Sequence, residues 1–201
     1  MIRVVIAEDQ SMVRGALVAL LSLERDIEVA GDVASGADVV ETVLREQPDV
    51  VLMDIEMPGM DGIAAAGAIR EHAPACKVLI LTTFGRPGYL RGAMDAGAVG
   101  FLVKDAPASQ LADAIRRAMR GERVIDPELA MAALSSGPNP LTDRQREVLR
   151  LSLGGASISE MSKAMFLSEG TIRNYLSEAI SKLDARNRVD AARIAEERGW
   201  L

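Results

Sequence analysis

At 201 residues, the chain is long enough for one medium domain and one small one, or for a single large one. Apolar residues make up 49%, charged residues 26% and aromatics only 3%, so a folded core must be built from Val, Ile, Leu, Ala and Met, and no apolar stretch is long enough for a membrane span. The net charge of −6 divides unevenly: residues 1–137 carry 13 Lys+Arg and 20 Asp+Glu, residues 138–201 carry 10 and 9, so the acidity does not keep the tail from approaching phosphates.

The first residues, MIRVVIAEDQ, reach acidic side chains at once, without the charged-then-apolar pattern of a secretion signal. Cys76 is the only cysteine, which excludes an internal disulfide framework and a multi-cysteine metal site. The expected location is cytoplasmic, and the protein is not expected to be membrane-embedded.

Short apolar runs occur at Ile2–Ala7, Ile27–Val33, Val50–Met53, Val78–Leu81 and Val99–Val103. Helix-length segments lie between and after them, near 11–23, 36–46, 61–71, 87–96 and 107–120. Strands alternating with helices predict a parallel sheet covered on both faces, an α/β domain over residues 1–121. A linker with a short helix near 127–134 is expected over 122–140, where Ser135-Ser136-Gly137-Pro138-Asn139-Pro140 gathers turn formers.

Residues 141–201 read as a small all-α domain of four helices. Thr142-Asp-Arg-Gln145 and Ser157-Ile-Ser-Glu160 are capping boxes that open the first two, and Gly154-Gly155 stops the first. Ser168 caps a third helix running to about Leu183, and a fourth spans roughly 188–198.

Glu8 and Asp9 follow directly on the first apolar run, and Asp54 on the third. In an open parallel sheet, functional groups gather at the carboxyl ends of strands where the strand order reverses. In the flavodoxin-like order 2-1-3-4-5, strands one and three are neighbours, which would bring the three acids into one cleft. Packed carboxylates either raise a pKa or bind a hard cation, and an all-oxygen site with water access suits Mg2+. Thr82 closes the fourth run with a hydroxyl, and Lys104 closes the fifth with a mobile cation. Each residue alone has an ordinary reading: a helix cap for Asp9, a turn residue for Thr82, a solvated lysine for Lys104. Together they make a phosphoryl-transfer site.

Glu8-Asp9, Asp54-Ile-Glu-Met-Pro58-Gly-Met-Asp-Gly62, Leu81-Thr82 and Gly100-Phe-Leu-Val-Lys104-Asp resemble the signature of two-component receiver domains over about residues 1–120. The resemblance implies that Asp54 accepts a phosphoryl group from a sensor histidine kinase. It further implies that Glu8, Asp9, Asp54 and the backbone carbonyl of Glu56 hold Mg2+. Lys104 would pair with the phosphoryl oxygens, Thr82 would move toward them, and Phe101 would follow as an aromatic switch. Such a protein is no enzyme beyond assisting its own phosphorylation and dephosphorylation.

In the tail, a helix, a short turn at Phe166-Leu-Ser168 and a longer helix have helix-turn-helix spacing. Ile172, Leu176, Ile180 and Leu183 form an apolar stripe, while Thr171, Arg173, Asn174, Ser177 and Glu178 lie on the opposite face. A capped amphipathic helix is common in any globular protein, so the periodicity alone decides little. Pro140-Leu-Thr-Asp-Arg-Gln-Arg-Glu-Val-Leu, Gly155-Ala-Ser, Leu167-Ser-Glu-Gly-Thr-Ile-Arg-Asn-Tyr175 and Lys182-Leu-Asp-Ala-Arg-Asn-Arg188 resemble LuxR-type domains. Receiver and tail together are similar to the NarL/FixJ group of response regulators. Thr171, Arg173, Asn174, Tyr175 and Ser177 are then the expected contacts to double-stranded DNA. Two departures from the usual pattern are Ser162, where Ala is common and the hydroxyl needs a partner, and Ser177, where a base is common.

Phosphorylation is expected to promote a homodimer, since helix-turn-helix proteins gain specificity by spanning two half-sites. Apolar residues of the first and fifth helices, including Val13, Leu17, Leu111, Ile115 and Met119, are the candidate contacts, although several of them must belong to the core. Leu81-Thr-Thr-Phe-Gly-Arg-Pro-Gly-Tyr-Leu90 is similar to the branch that includes regulators of membrane-lipid desaturase genes. Two rival readings are an aspartyl-phosphate phosphatase and a constitutive DNA binder. The first places its nucleophile at strand one, not strand three, and leaves a DNA-reading tail idle.

Overall fold

The computed structural model describes residues 1–83, 85, 87–104, 108–135, 137 and 139–201. Parallel strands β1 (Ile2–Ala7), β2 (Ile27–Val33), β3 (Val50–Met53), β4 (Lys77–Thr82) and β5 (Gly100–Val103) alternate with helices α1 (Ser11–Leu21), α2 (Gly36–Glu46), α3 (Gly62–His72), α4 (Pro87–Asp95) and α5 (Ala108–Met119). The strand order is β2-β1-β3-β4-β5-β6. This is the expected parallel α/β order, extended at one edge by β6 (Val124–Ile125), which pairs with β5. The sheet therefore continues into the stretch read as linker. A two-residue strand carries no periodicity, so its sequence gave no strand signal. Helix α6 (Pro127–Ser135) follows.

Alternation along the strands sends one set of side chains to each face. Val4, Ile6, Val50, Leu52, Leu79 and Leu81 share a cluster with Leu17 and Leu21 of α1 and with Leu111, Ala112, Ile115 and Ala118 of α5. Val5, Val51, Met53, Ile80 and Phe101, on the opposite face, are buried as well. Both faces are thus covered, which is why the strands read as continuous apolar runs.

This packing corrects the expected dimer contacts. Leu17, Leu111 and Ile115 are buried in the core cluster, and Val13 packs partly against it. Side chains used to cover the sheet are not free to meet a second copy. Met119 alone among the five is exposed. The exposed apolar residues of this region are instead Met12 and Leu20 on the outer side of α1 and Leu23 just after it.

The described residues divide into two compact units, one built on the sheet and reaching Met131, the other formed chiefly by Ala132–Leu201. The second contains α7 (Asp143–Leu153), α8 (Ile158–Met165), α9 (Glu169–Lys182) and α10 (Arg188–Glu197). Both capping boxes are formed: Thr142 and Ser157 each accept from the third helical residue, whose side chain caps in return. Val148, Leu149, Met161, Ile172, Leu176, Ala179, Ala191, Ala192 and Trp200 form its core. Fully burying an aliphatic side chain such as Ile172 stabilises by about 1.5–3 kcal/mol. Among the described residues, no helix is long and apolar enough to cross a membrane.

Candidate functional site

The sheet register builds the acidic cleft. Ala7 of β1 pairs with Met53 of β3, so the next residues, Glu8 and Asp54, leave the sheet side by side. Asp54 N donates to Ala7 O at 2.9 Å, and Glu8 N donates to Val33 O at 3.0 Å. Carboxylate oxygens of Glu8, Asp9 and Asp54 all lie within 4.8 Å of one another. Glu8 and Asp54 are buried, whereas Asp9 is exposed. Three oxygen donors with an open side are the chemistry of a hard divalent cation.

Asp54 is fixed by its own turn. Its Oδ1 accepts from Ile55 N at 2.8 Å, and Ile55 O accepts from both Met57 N and Gly62 N at 3.0 Å. A Cβ at Gly62 would stand 1.9 Å from the Asp54 carbonyl oxygen, so only glycine closes this loop. Asp61 then caps α3 by accepting from Ala64 N. Glu56, two residues past Asp54, is exposed, and its side chain accepts from Tyr89 OH at 3.5 Å.

Lys104 N donates to Thr82 O at 2.8 Å, extending the β4–β5 ladder past its last strand pair. Its ammonium lies 2.6 Å from Glu8 Oε2 and 3.0 Å from Asp54 Oδ2. Burial pushes the Glu8 carboxyl above its ordinary range, against the hydrogen bond from Lys104. Burial works against the Lys104 charge too, but its bonds to Glu8 and Asp54 prevail and hold it above the usual lysine value. Thr82 is buried at the end of β4, and Phe101 has no exposed surface. Phe101 pairs with Ile80 in the sheet, so alternation puts its ring on the same face as Thr82, one rung below.

One neighbour of this site was missed in the sequence. Arg14 of α1 donates from Nη1 to Glu8 O at 2.6 Å and reaches Asp9 O at 3.5 Å, while its Nε bonds Asp32 Oδ2 at 3.0 Å.

In the helical unit, α8 and α9 are joined by a tight turn in which Phe166 takes a left-handed conformation (φ 55°) and is almost fully exposed. Ser162, the residue whose hydroxyl needed a partner, donates to Leu167 O at 2.5 Å and clamps that turn. Along α9, Ile172, Leu176 and Ala179 are buried and Ile180 packs partly against the same core. Arg173, Asn174 and Ser177 are exposed, and Thr171 is half-buried with its hydroxyl 2.9 Å from that of Ser168. Tyr175 packs partly against the core. Arg173 pairs with Glu169 at 2.8 Å on the surface.

Glu178 turns out to be an anchor for α7. It accepts from Gln145 Nε2 at 2.7 Å, and Gln145 Oε1 accepts from Lys182 Nζ at 2.9 Å and from Thr142 N at 3.0 Å. Gln145 is buried, so this network fixes α9 against α7 through a side chain that the sequence marked only as a cap.

His72, the one histidine of the sequence, is exposed at the end of α3, its Nδ1 2.8 Å from Ala68 O. Burial, aided by Asp49, pushes the Cys76 thiol up to about 12, which leaves it without thiolate character. Trp200 is buried in the helical core. Among the described residues, Glu8, Asp9 and Asp54 form the one cluster with metal-holding spacing.

Residues 4–116 match the family model for the response regulator receiver domain, and residues 139–195 match that for bacterial regulatory proteins of the luxR family. The chain is 48% identical over 201 residues to the transcriptional regulatory protein DesR of Bacillus subtilis (strain 168), with all of both chains covered. It is equally similar, 48% over 201 residues and all of both chains, to the transcriptional regulatory protein YvfU of the same organism. Among solved structures, it resembles the response regulator ChrA of a heme-sensing two-component system, with 35% identity, 100% of this chain and 98% of that one covered, and a TM-score of 0.60.

Proposed function

The chain is a DNA-binding two-component response regulator of the LuxR family, and from that premise we propose that phosphorylation of Asp54 by a sensor histidine kinase switches it between two DNA-binding states. The observation that carries this reading is the convergence of Glu8, Asp9 and Asp54 within 4.8 Å, with the Lys104 ammonium 3.0 Å from Asp54.

An Asp54 carboxylate oxygen attacks the phosphorus of a kinase phosphohistidine. A P–O bond forms as the P–N bond breaks, and the imidazole leaves. Glu8, Asp9, Asp54 and the backbone carbonyl of Glu56 would hold Mg2+, which supplies charge neutralisation for the transferring group. Lys104 exchanges its contact with the Asp54 carboxylate for one with the new phosphoryl oxygens. The dianion recruits the Thr82 hydroxyl, and the space this vacates admits the Phe101 ring, so that a local charge becomes a surface repacking. The chemistry is confined to this one aspartate, and relatives of the chain are transcriptional regulators.

Phosphorylation promotes a homodimer, with Met12, Leu20 and Leu23 on and beside the outer side of α1 and Met119 of α5 as its apolar surface. A helix apolar on more than its core-facing stripe implies a partner. Each copy then presents Thr171, Arg173, Asn174 and Ser177 to one half-site in the major groove, with the Tyr175 hydroxyl at a phosphate. Residues 1–121 act as the receiver, 141–201 as the DNA-binding domain, and the protein works in the cytoplasm.

The test is capture and sequencing of genomic DNA fragments by protein treated with acetyl phosphate and Mg2+, with sedimentation of the same samples. Paired half-sites, and a dimer that depends on Asp54, are expected. If Asp54→Asn captures the same fragments with the same affinity as treated wild type, DNA binding is constitutive and the switch does not exist.

A further inference from the structure

Arg14 stands where helix electrostatics disfavours a cation. It is the fourth residue of α1, whose first turn holds no acidic side chain and whose N-cap residue, Gln10, makes no side-chain capping bond. The positive end of the helix dipole repels a guanidinium at that place. The side chain nevertheless folds back toward the end of β1, donating to Glu8 O at 2.6 Å and reaching Asp9 O at 3.5 Å. Asp32, near the end of β2, fixes the other edge of the fork through Nε at 3.0 Å.

The geometry of the cleft explains what such a contact does. Consecutive residues of an extended strand point to opposite faces. Glu8 and Asp9 are consecutive, yet their carboxylates converge with that of Asp54. The chain must therefore turn between them, and the turn takes their carbonyls out of the sheet ladder. A carbonyl taken out of the ladder beside the buried Glu8 needs a partner. Arg14 reaches both from Nη1 while Nε of the same planar group holds Asp32, a spread that a lysine ammonium does not reproduce.

We propose that Arg14 is a positioning residue for the acidic cleft: its guanidinium, held by Asp32, fixes the backbone of Glu8 and Asp9 so that both carboxylates face the ion that Asp54 shares. The inference rests on the reading of the cleft as a Mg2+ and phosphoryl site. Arg14 touches no reacting atom. Its effect is on the affinity of the site for the ion, the quantity to which outer partners of metal ligands contribute.

Mg2+ alone is titrated calorimetrically into full-length wild type, Arg14→Met and Asp32→Ala. Acetyl phosphate labelling of each is followed by intact mass at low and at saturating Mg2+. Arg14→Met is expected to weaken Mg2+ binding by about tenfold, with labelling slowed at low Mg2+ and restored to the wild-type rate at saturation. Asp32→Ala shifts both readouts in the same direction by a smaller factor, because the guanidinium keeps its carbonyls. An Mg2+ affinity equal to that of wild type overturns the proposal, as does a labelling loss that saturating Mg2+ fails to restore. Should Arg14→Met not fold, unchanged Mg2+ binding in Asp32→Ala overturns it. Wild type that binds no Mg2+, or takes up no phosphoryl group, removes the reading of the cleft itself. Equal binding by all three proteins removes only the role of Arg14.

Discussion

Lys104 Nζ lies 3.0 Å from Asp54 Oδ2 although the two residues end strands that are not neighbours, β4 lying between β3 and β5. The same ammonium is 2.6 Å from Glu8 Oε2. One cation therefore contacts two buried carboxylates that follow β1 and β3, and a divalent ion bound beside them would offset the charge that remains.

Removing the ammonium leaves both acids buried and unpaired. Lys104→Met is expected to destabilise the sheet unit by about 3 kcal/mol at neutral pH. The Glu8 carboxyl, already raised by burial, rises further in this variant. An acid whose folded pKa exceeds its unfolded value binds a proton in the folded state first, so stability increases as pH falls through that window. Urea unfolding should show the deficit of Lys104→Met shrinking as pH is lowered toward the raised pKa of Glu8. A deficit that is independent of pH contradicts the pairing.

A cation that binds the folded state only would relieve repulsion among Glu8, Asp9 and Asp54. At a free Mg2+ concentration ten times its dissociation constant, the expected stabilisation is about 1.4 kcal/mol. Thermal melts should rise with Mg2+ and fall back with a chelator, and Asp9→Asn should blunt the response. Equal melts with and without Mg2+ contradict the assignment of the donor set.

Gly62 tests the loop. A methyl group there would meet the Asp54 carbonyl at 1.9 Å, so Gly62→Ala must push the turn that aims Asp54. A displacement of about 1 Å at a reacting group costs on the order of 10²-fold in rate, and labelling by acetyl phosphate should slow by about that factor. Wild-type labelling by the variant would show that this turn does not position the carboxylate.

Much of this arrangement was readable in the sequence because each strand ends in a chemically distinct residue. Apolar runs stopping at Glu8, Asp54, Thr82 and Lys104 mark the carboxyl edge of a parallel sheet, and the capping residues Thr142, Ser157 and Ser168 mark helix starts through local hydrogen bonds. What was hidden depends on distant partners. Leu17 looks like Met12 and Leu20 in α1, a helix apolar on several sides, so periodicity did not tell core from surface there. Leu111 and Ile115 lie on the single apolar stripe of α5, and that stripe is the one that covers the sheet. Arg14 reads as an ordinary exposed arginine until Asp32 and two carbonyls are placed around it. Gln145 was legible as a cap, but its bonds to Glu178 and Lys182 cross between helices. The β6 pair was too short to carry a pattern.

On α9, among the described residues, the Arg173 guanidinium pairs with Glu169 at the surface, an interaction worth little, so exchanging it for a DNA contact would cost little. Arg173→Ala should weaken binding to captured fragments by about 5- to 150-fold, since a base contact contributes about 1–3 kcal/mol, while acyl phosphate formation at Asp54 is unchanged. Undiminished DNA binding would move the recognition surface elsewhere on the helical unit.

The central claim is that Asp54 is the acceptor that makes this chain a switch. Intact mass after incubation with acetyl phosphate and Mg2+ tests it most directly. One phosphoryl adduct on wild type, lost in Asp54→Asn and lost when a chelator removes the ion, is the predicted result. No adduct on wild type, or an undiminished adduct on Asp54→Asn, contradicts it.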